Sequence, residues 1–158
     1  MPDLEDLEKR IRILEDIEAI KQLKNEYMLA CDDSYNPEKI AALFVEDGVW
    51  DGGELDGVYH GRDEIKEWFR RCSKDNLFAV HMAMAPIIEV DGDTARGRWY
   101  MNMYMTHVKH GATLYADKYD DQFVKIDGKW YFKYLNVREQ IACVFTEGWA
   151  EDRFSAYK

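Results

Sequence analysis

A single histidine, His81, stands in the apolar run Leu77-Phe78-Ala79-Val80-His81-Met82-Ala83-Met84-Ala85-Pro86, which reads as a buried strand. A titratable ring in that setting needs a partner, because an unpaired buried polar group costs about 1–3 kcal/mol. The sequence offers one far upstream: Asp32, at the end of an amphipathic helix and one helical stretch beyond Tyr27. A His–Asp pair in an apolar pocket is a proton-transfer device, in which the carboxylate fixes the ring tautomer and the ring moves the proton. The alternative is a core histidine held by a backbone carbonyl, and the residues alone leave both readings open.

Other side chains could join such a pair. In Cys31-Asp32-Asp33-Ser34 two carboxylates sit at a helix C-terminus, where the dipole disfavours negative charge. One can start the turn toward Asn36, which leaves the other for different work; the sequence does not say which of Asp32 and Asp33 faces the pocket. Tyr27 lies on the apolar stripe and should face the core, either as packing or as a hydrogen-bond donor. Arg138 lies within the strand pattern Tyr134-Leu135-Asn136-Val137-Arg138, on the face it shares with Tyr134 and Asn136. Turned inward it needs a carboxylate or a substrate oxygen; turned outward it needs nothing. Tyr115, Asp117 and Tyr119 also share one face, as cavity lining or as a hydrogen-bonded patch of sheet. His60, His107 and His110 show no metal spacing, and no Gly-rich phosphate loop, Ser–His–Asp signature or His-Glu-x-x-His motif occurs. Neither a metal nor a nucleotide has support, and no cofactor is expected.

The elements that must position these groups fall into two halves. Leu4, Leu7, Ile11 and Leu14, then Ile17, Ile20, Leu23 and Tyr27, recur at helical spacing. The first two heptads, residues 1–14, form either an arm that packs on another subunit or an amphipathic cap on the chain's own core. Asn36-Pro37-Glu38 signals a helix start, with Asn36 as cap, and predicts a short helix over 38–45. Residues 46–59 predict one or two short strands, and Gly61-Arg62-Asp63-Glu64 leads into a helix with Ile65, Trp68 and Phe69 inward. Four strands are predicted at 77–90, 94–108, 112–126 and 129–145, with Asp-Gly hairpin turns at Asp91-Gly92 and Asp127-Gly128. Helices followed by an antiparallel meander give an α+β fold, with the helices packed on a curved sheet and a pocket between them. Residues 146–158 are a tail or a lid.

Composition bounds the rest. The chain has 158 residues, enough for one substantial core, and one domain over 1–158 is expected. A formal charge of −10 argues against nucleic acid and anionic membranes. No apolar stretch is long enough to span a membrane, and 3 cysteines without redox or metal spacing suit a reducing cytoplasm. The 7 Phe, 5 Trp and 10 Tyr can line an aromatic cavity for a small hydrophobic substrate. Lys66, Arg70, Arg71 and Lys74 form one basic helix face, either solvated or a receiver for the phosphates of a coenzyme A thioester.

Asp16-Ile17-Glu18-Ala19-Ile20-Lys21-Gln22-Leu23-Lys24 leading to Tyr27 and Asp32, together with Ala79-Val80-His81-Met82, resembles the SnoaL-like branch of the nuclear-transport-factor-2 superfold. Gly97-Arg98-Trp99-Tyr100, Tyr115-Ala116-Asp117-Lys118-Tyr119 and Lys125-Ile126-Asp127-Gly128-Lys129-Trp130 extend the resemblance over about residues 14–140. Within the branch the chain is most similar to bile-acid 7α-dehydratase, and more distantly to scytalone dehydratase and hexachlorocyclohexane dehydrochlorinase. The resemblance implies a cone-shaped α+β barrel, a homo-oligomer (trimer or dimer), and a cofactor-independent dehydratase of small cyclic substrates. A ketosteroid-type isomerase, a dehydrohalogenase and a non-catalytic binding module are the alternatives. It also implies catalytic roles for His81, Asp32, Tyr27 and Arg138, and substrate contacts from Tyr115, Asp117, Trp99, Asn102 and Met103. Met103 stands where the bile-acid enzyme has an aspartate, and the second histidine of scytalone dehydratase has no counterpart near Tyr115-Ala116.

Overall fold

The computed structural model describes residues 3–146, 148 and 154–158. One long helix, α1 (Leu4–Asp32), precedes a short α2 (Pro37–Ala42), strand β1 (Phe44–Asp51), a single turn α3 (Gly53–Asp56), strand β2 (Val58–His60) and helix α4 (Gly61–Asp75). Four long strands follow: β3 (Asn76–Asp91), β4 (Thr94–His107), β5 (Gly111–Ile126) and β6 (Lys129–Val144). They form one six-stranded sheet in the order β2-β1-β6-β5-β4-β3. All neighbours are antiparallel except β1 and β6, which run parallel. This is the NTF2-like α+β architecture: helices against a curled, mixed sheet.

The local signals act as expected in most places. Asn36 caps α2 by accepting the Lys39 N–H at 3.1 Å, with Pro37 in the first turn. Asp127 and Gly128 both take positive φ, the geometry a two-residue hairpin turn needs to match the twist of its strands. The helix predicted over 38–45 ends early, because Phe44 and Val45 are drawn into β1 beside β6. Ile65 and Phe69 of α4 are buried, while Trp68 is only half-buried.

Two expectations change. β3 is not buried on both sides: it is the sheet's edge strand, and Leu77, Phe78, Met82, Met84 and Ile87 are exposed. In α1, burial begins at Ile20, and Leu4, Leu7, Ile11 and Leu14 are exposed, so the first heptads do not cap the chain's own core. The rest of α1 is tied to the sheet by polar groups as well as by packing. Asp16 accepts from Lys125 Nζ at 2.9 Å and from Trp130 Nε1 at 2.8 Å. Lys24, fully buried, pairs with the equally buried Asp121 of β5 at 2.8 Å, and its ammonium lies 3.1 Å from the Tyr119 ring centroid. These ties fix the height at which the C-terminal end of α1 meets the sheet. No helix among the described residues is long and apolar enough to cross a membrane.

Candidate active site

The last residue of α1 meets the middle of β3. An edge strand presents unpaired backbone N–H groups, and Asp32 takes one of them: the His81 N–H donates to Asp32 Oδ1 at 2.9 Å. The same oxygen lies 2.7 Å from Nδ1 of the His81 ring. Asp32 therefore holds His81 by backbone and side chain at once, which offsets its poor position at a helix C-terminus. The His81 side chain is 6% exposed and Asp32 26%. Asp33, the alternative, faces away and bonds Lys39 at 2.8 Å and Asn36 at 3.1 Å. With Nδ1 engaged, Nε2 is left facing the Tyr35 hydroxyl at 3.4 Å.

Tyr35 is the residue that sequence reasoning missed. It follows Ser34 in a left-handed turn after α1, with φ values of 54° and 52°. A bulky residue there costs about 1–3 kcal/mol and persists only where its surroundings enforce it. Here the Tyr35 N–H closes on Cys31 O at 2.8 Å, and its ring stacks on Phe69 with centroids 6.2 Å apart. The result aims the phenol at His81 and at the sulfurs of Met103 and Met105. Burial pushes the Tyr35 hydroxyl well above its usual range, so it stays a donor.

His81 and Tyr35 line a cavity of about 440 Å³ between α1, α4 and the inner face of the sheet. Tyr27, Trp50, Trp68 and Phe69 form its aromatic wall, and Met101, Met103 and Met105 carpet one side. Tyr115, Asp117 and Glu139 line the other, and Ala156 and Tyr157 reach it from the final 3₁₀ turn (Ser155–Tyr157). Part of the segment expected as a tail or lid thus contributes to the cavity; residues 147 and 149–153 lie outside the described residues. Among the described residues, the buried side-chain polar atoms without a partner are Trp68 Nε1, Asn76 Oδ1 and Asp117 Oδ1, and all three residues line this cavity. Unsatisfied buried polar groups are rare in folded proteins, and here all three belong to residues around one hollow.

The expected residues divide between the two faces of the sheet. Tyr27, Tyr115, Asp117 and Met103 line the cavity. Tyr27 accepts from Trp50 Nε1 at 2.9 Å, and burial keeps its own hydroxyl protonated. Trp99 points inward but lies in the core, packed edge-on against Phe123. Asn102 falls between Met101 and Met103 and so projects from the opposite face. Arg138 falls likewise between the cavity residues Val137 and Glu139. It grips Asp51, through Nη2 to Oδ2 at 2.9 Å and Nη1 to the carbonyl at 3.0 Å, and does not reach Asp32. Its face is the one read from the sequence, shared with Tyr134 and Asn136, and both join the Asp51 network.

The basic face of α4 is largely engaged: Lys66 and Arg70 pair with Glu38 at 2.8 and 3.1 Å, and Arg71 lies over Trp68. A wider groove of about 990 Å³ runs along the other end of the sheet, past Glu89, Arg96, Asp120 and Lys133. Arg96 is paired with Asp120 and Lys133 with Asp47, so its charges are satisfied internally. We place the site in the smaller cavity because His81, backed by Asp32, lines it together with the three residues whose buried polar atoms lack partners. Two cysteines near it are poor nucleophiles, since burial pushes the Cys31 and Cys72 thiols well up.

Helices packed on a curled, mixed sheet, with His81 at the wall of the pocket between them and Asp32 behind it, define an NTF2-like α+β domain. The profile of the SnoaL-like domain matches residues 12–136, and the chain belongs to that family. Among solved structures, a provisionally assigned scytalone dehydratase from Novosphingobium aromaticivorans DSM 12444 is similar, with 25% identity over 84% of this chain and 89% of the other, at a TM-score of 0.77. Hexachlorocyclohexane dehydrochlorinase LinA-type3 from Novosphingobium barchaimii LL02 has 20% identity over 85% and 92% of the two chains, with a TM-score of 0.77. An NTF2-like protein with a cystatin-like fold from Novosphingobium aromaticivorans has 24% identity over 97% and 96%, with a TM-score of 0.71.

Proposed function

We propose that this protein is a cofactor-independent lyase that eliminates water from a small hydrophobic cyclic substrate, with His81 as the general base. The observation that carries the reading is the Nδ1 contact of His81 with Asp32 at 2.7 Å, which leaves Nε2 at the cavity wall. Nε2 takes a proton from carbon next to a carbonyl, or vinylogous to one. Asp32 stabilises the imidazolium that forms and keeps the ring in one tautomer. The Tyr35 phenol is the donor for the enolate oxygen as charge develops, with Tyr27, held by Trp50 and Cys31, behind it, and fixed donors are commonly the larger electrostatic contribution. Arg138 acts at a distance, by holding Asp51 and the β1–β6 pairing, rather than on the substrate. The similarity to a provisionally assigned scytalone dehydratase supports dehydration as the reaction class.

The second reading is isomerisation by the same proton transfer without loss of a group. Two ring ketones separate them: 3-hydroxycyclohexanone, which can lose water to give cyclohex-2-enone, and cyclohex-3-enone, which reaches the same product by moving its double bond. Enone absorbance is expected to grow from the hydroxy ketone. Turnover of cyclohex-3-enone alone would replace dehydration with isomerisation, and turnover of neither would contradict both.

A further inference from the structure

Across the cavity from His81 lies a second group of ionisable side chains that the base mechanism does not use. Asp117 of β5 is directly paired in register with Glu139 of β6, and with Met101 of β4 on its other side. The ladder slips between Ala116 and Asp117, so that Gln140 is passed over and Glu139 stands opposite Asp117. Bulges of this kind re-aim side chains and are frequent beside active sites. This one turns two carboxyl groups into the same hollow, where opposed like charges would repel. A third, Asp56 of α3, approaches from the cavity rim: the Tyr157 hydroxyl lies 3.5 Å from Asp56 Oδ2 and 3.4 Å from Glu139 Oε1. No described lysine or arginine forms an ion pair with any of the three. Burial raises all three carboxyls, and Asp56 and Glu139 also hydrogen-bond each other, so that one proton can serve that pair while Asp117 has no such partner.

Asp117 differs from the other two. Tyr157 engages Asp56 and Glu139, whereas Asp117 is 4% exposed and its Oδ1 has no partner among the described residues. His81 and Asp117 stand on strands separated by β4 alone; the row of His81 runs through Met103 to Tyr115, two residues from Asp117, so two strand spacings and that offset put the two backbones about 12 Å apart, and both residues line the cavity. We propose that Asp117 is the general acid of this site, held as a carboxylic acid and donating its proton to a hydroxyl leaving group while His81 takes the C–H proton.

The proposal rests on the elimination reading above and names its leaving group. His81 Nε2 forms a bond to the proton leaving carbon, and that C–H electron pair becomes the new C=C bond. The C–O bond breaks with its electrons on oxygen, which takes the Asp117 proton and departs as water. Imidazolium and carboxylate remain, and proton exchange with solvent restores both. Hydroxide is a poor leaving group and needs this acid, whereas chloride does not. Burial, followed by the nearness of Glu139 and Asp56, pushes the Asp117 carboxyl up to about 8, in keeping with an acid that retains its proton at neutral pH. The groups that act on it are Glu139, Asp56, Tyr115, Tyr119 and Tyr157; the cavity lining also carries Arg71, Lys109, His107 and His110, none of which is ion-paired with it.

The test uses Asp117→Asn, which keeps the shape and removes the acid, with 3-hydroxycyclohexanone and 3-chlorocyclohexanone as probes. Both give cyclohex-2-enone. Asp117→Asn is expected to slow water loss about 10²–10⁴-fold more than chloride loss, whereas His81→Ala slows both. Equal slowing of the two reactions by Asp117→Asn, or of neither, overturns the acid role. Wild-type protein that converts neither probe, or His81→Ala that converts both normally, overturns the elimination reading instead. An independent readout needs no turnover: the wild-type minus Asp117→Asn difference infrared spectrum at neutral pH should show the band of one un-ionised carboxylic acid, over and above any band that Glu139 and Asp56 give in both proteins. No such difference overturns the proposal.

Discussion

His81→Ala is expected to lower elimination from 3-hydroxycyclohexanone by about 10²–10⁴-fold, the usual contribution of a positioned base, while leaving the fold in place. The structure gives a specific reason for that separation. Asp32 bonds residue 81 twice, through the ring at 2.7 Å and through the backbone N–H at 2.9 Å. Removing the ring leaves the backbone bond, so the edge of β3 stays fastened to α1. The cavity grows by one ring in a wall already adapted to hold a ligand. Unchanged far-ultraviolet circular dichroism and melting, with turnover lost, is the expected result. Turnover within a few-fold of wild type would remove His81 from the role of base.

A second large effect is expected far from the chemistry. Lys24→Met should destabilise the protein by about 3–5 kcal/mol, the cost of leaving one buried charge of a pair without its partner. Lys24 and Asp121 are both fully buried at 2.8 Å. Burial pulls the Lys24 ammonium down and lifts the Asp121 carboxyl, and their mutual attraction opposes both shifts. Asp121 would keep only the Asn136 N–H at 3.1 Å. Urea unfolding measures the loss, and the double variant Lys24→Met with Asp121→Leu should recover part of it, because an apolar pair of similar volume replaces an ion pair at little cost. A loss below about 1 kcal/mol for Lys24→Met would mean that Asp121 is not stranded as a charge. The functional consequence is positional: the pair fixes α1 against β5, and the helix end carries Asp32 to His81.

The sequence made the pairing of His81 with an aspartate at the end of α1 legible because each residue broke a local rule, while leaving Asp32 and Asp33 both open as the one that faces the pocket. His81 interrupts an apolar run, and Asp32 sits where a helix dipole disfavours it. Period-two alternation made the cavity side of β5 legible through Tyr115, Asp117 and Tyr119, and it also grouped Arg138 with Tyr134 and Asn136. What alternation cannot supply is which of two faces is inward, and Arg138 and Asn102 lie on the outer one. Glu139 escaped for a related reason: the bulge at Gln140 depends on pairing with β5, which no local pattern encodes. Tyr35 escaped because a tyrosine after Asp-Asp-Ser reads as an ordinary turn residue. Its position depends on a left-handed backbone enforced by Phe69 and Cys31, contacts distant from any motif.

All of the proposed chemistry requires the proton of neutral His81 to sit on Nδ1, toward Asp32, with the Nε2 lone pair directed into the cavity. Nitrogen-15 chemical shifts of the histidine ring, assigned with His81→Ala, report that tautomer directly. The account predicts a protonated Nδ1 and a bare Nε2 in the neutral ring, and collapse of that preference in Asp32→Asn. A neutral ring with its proton on Nε2 would leave no base facing the substrate and would contradict it.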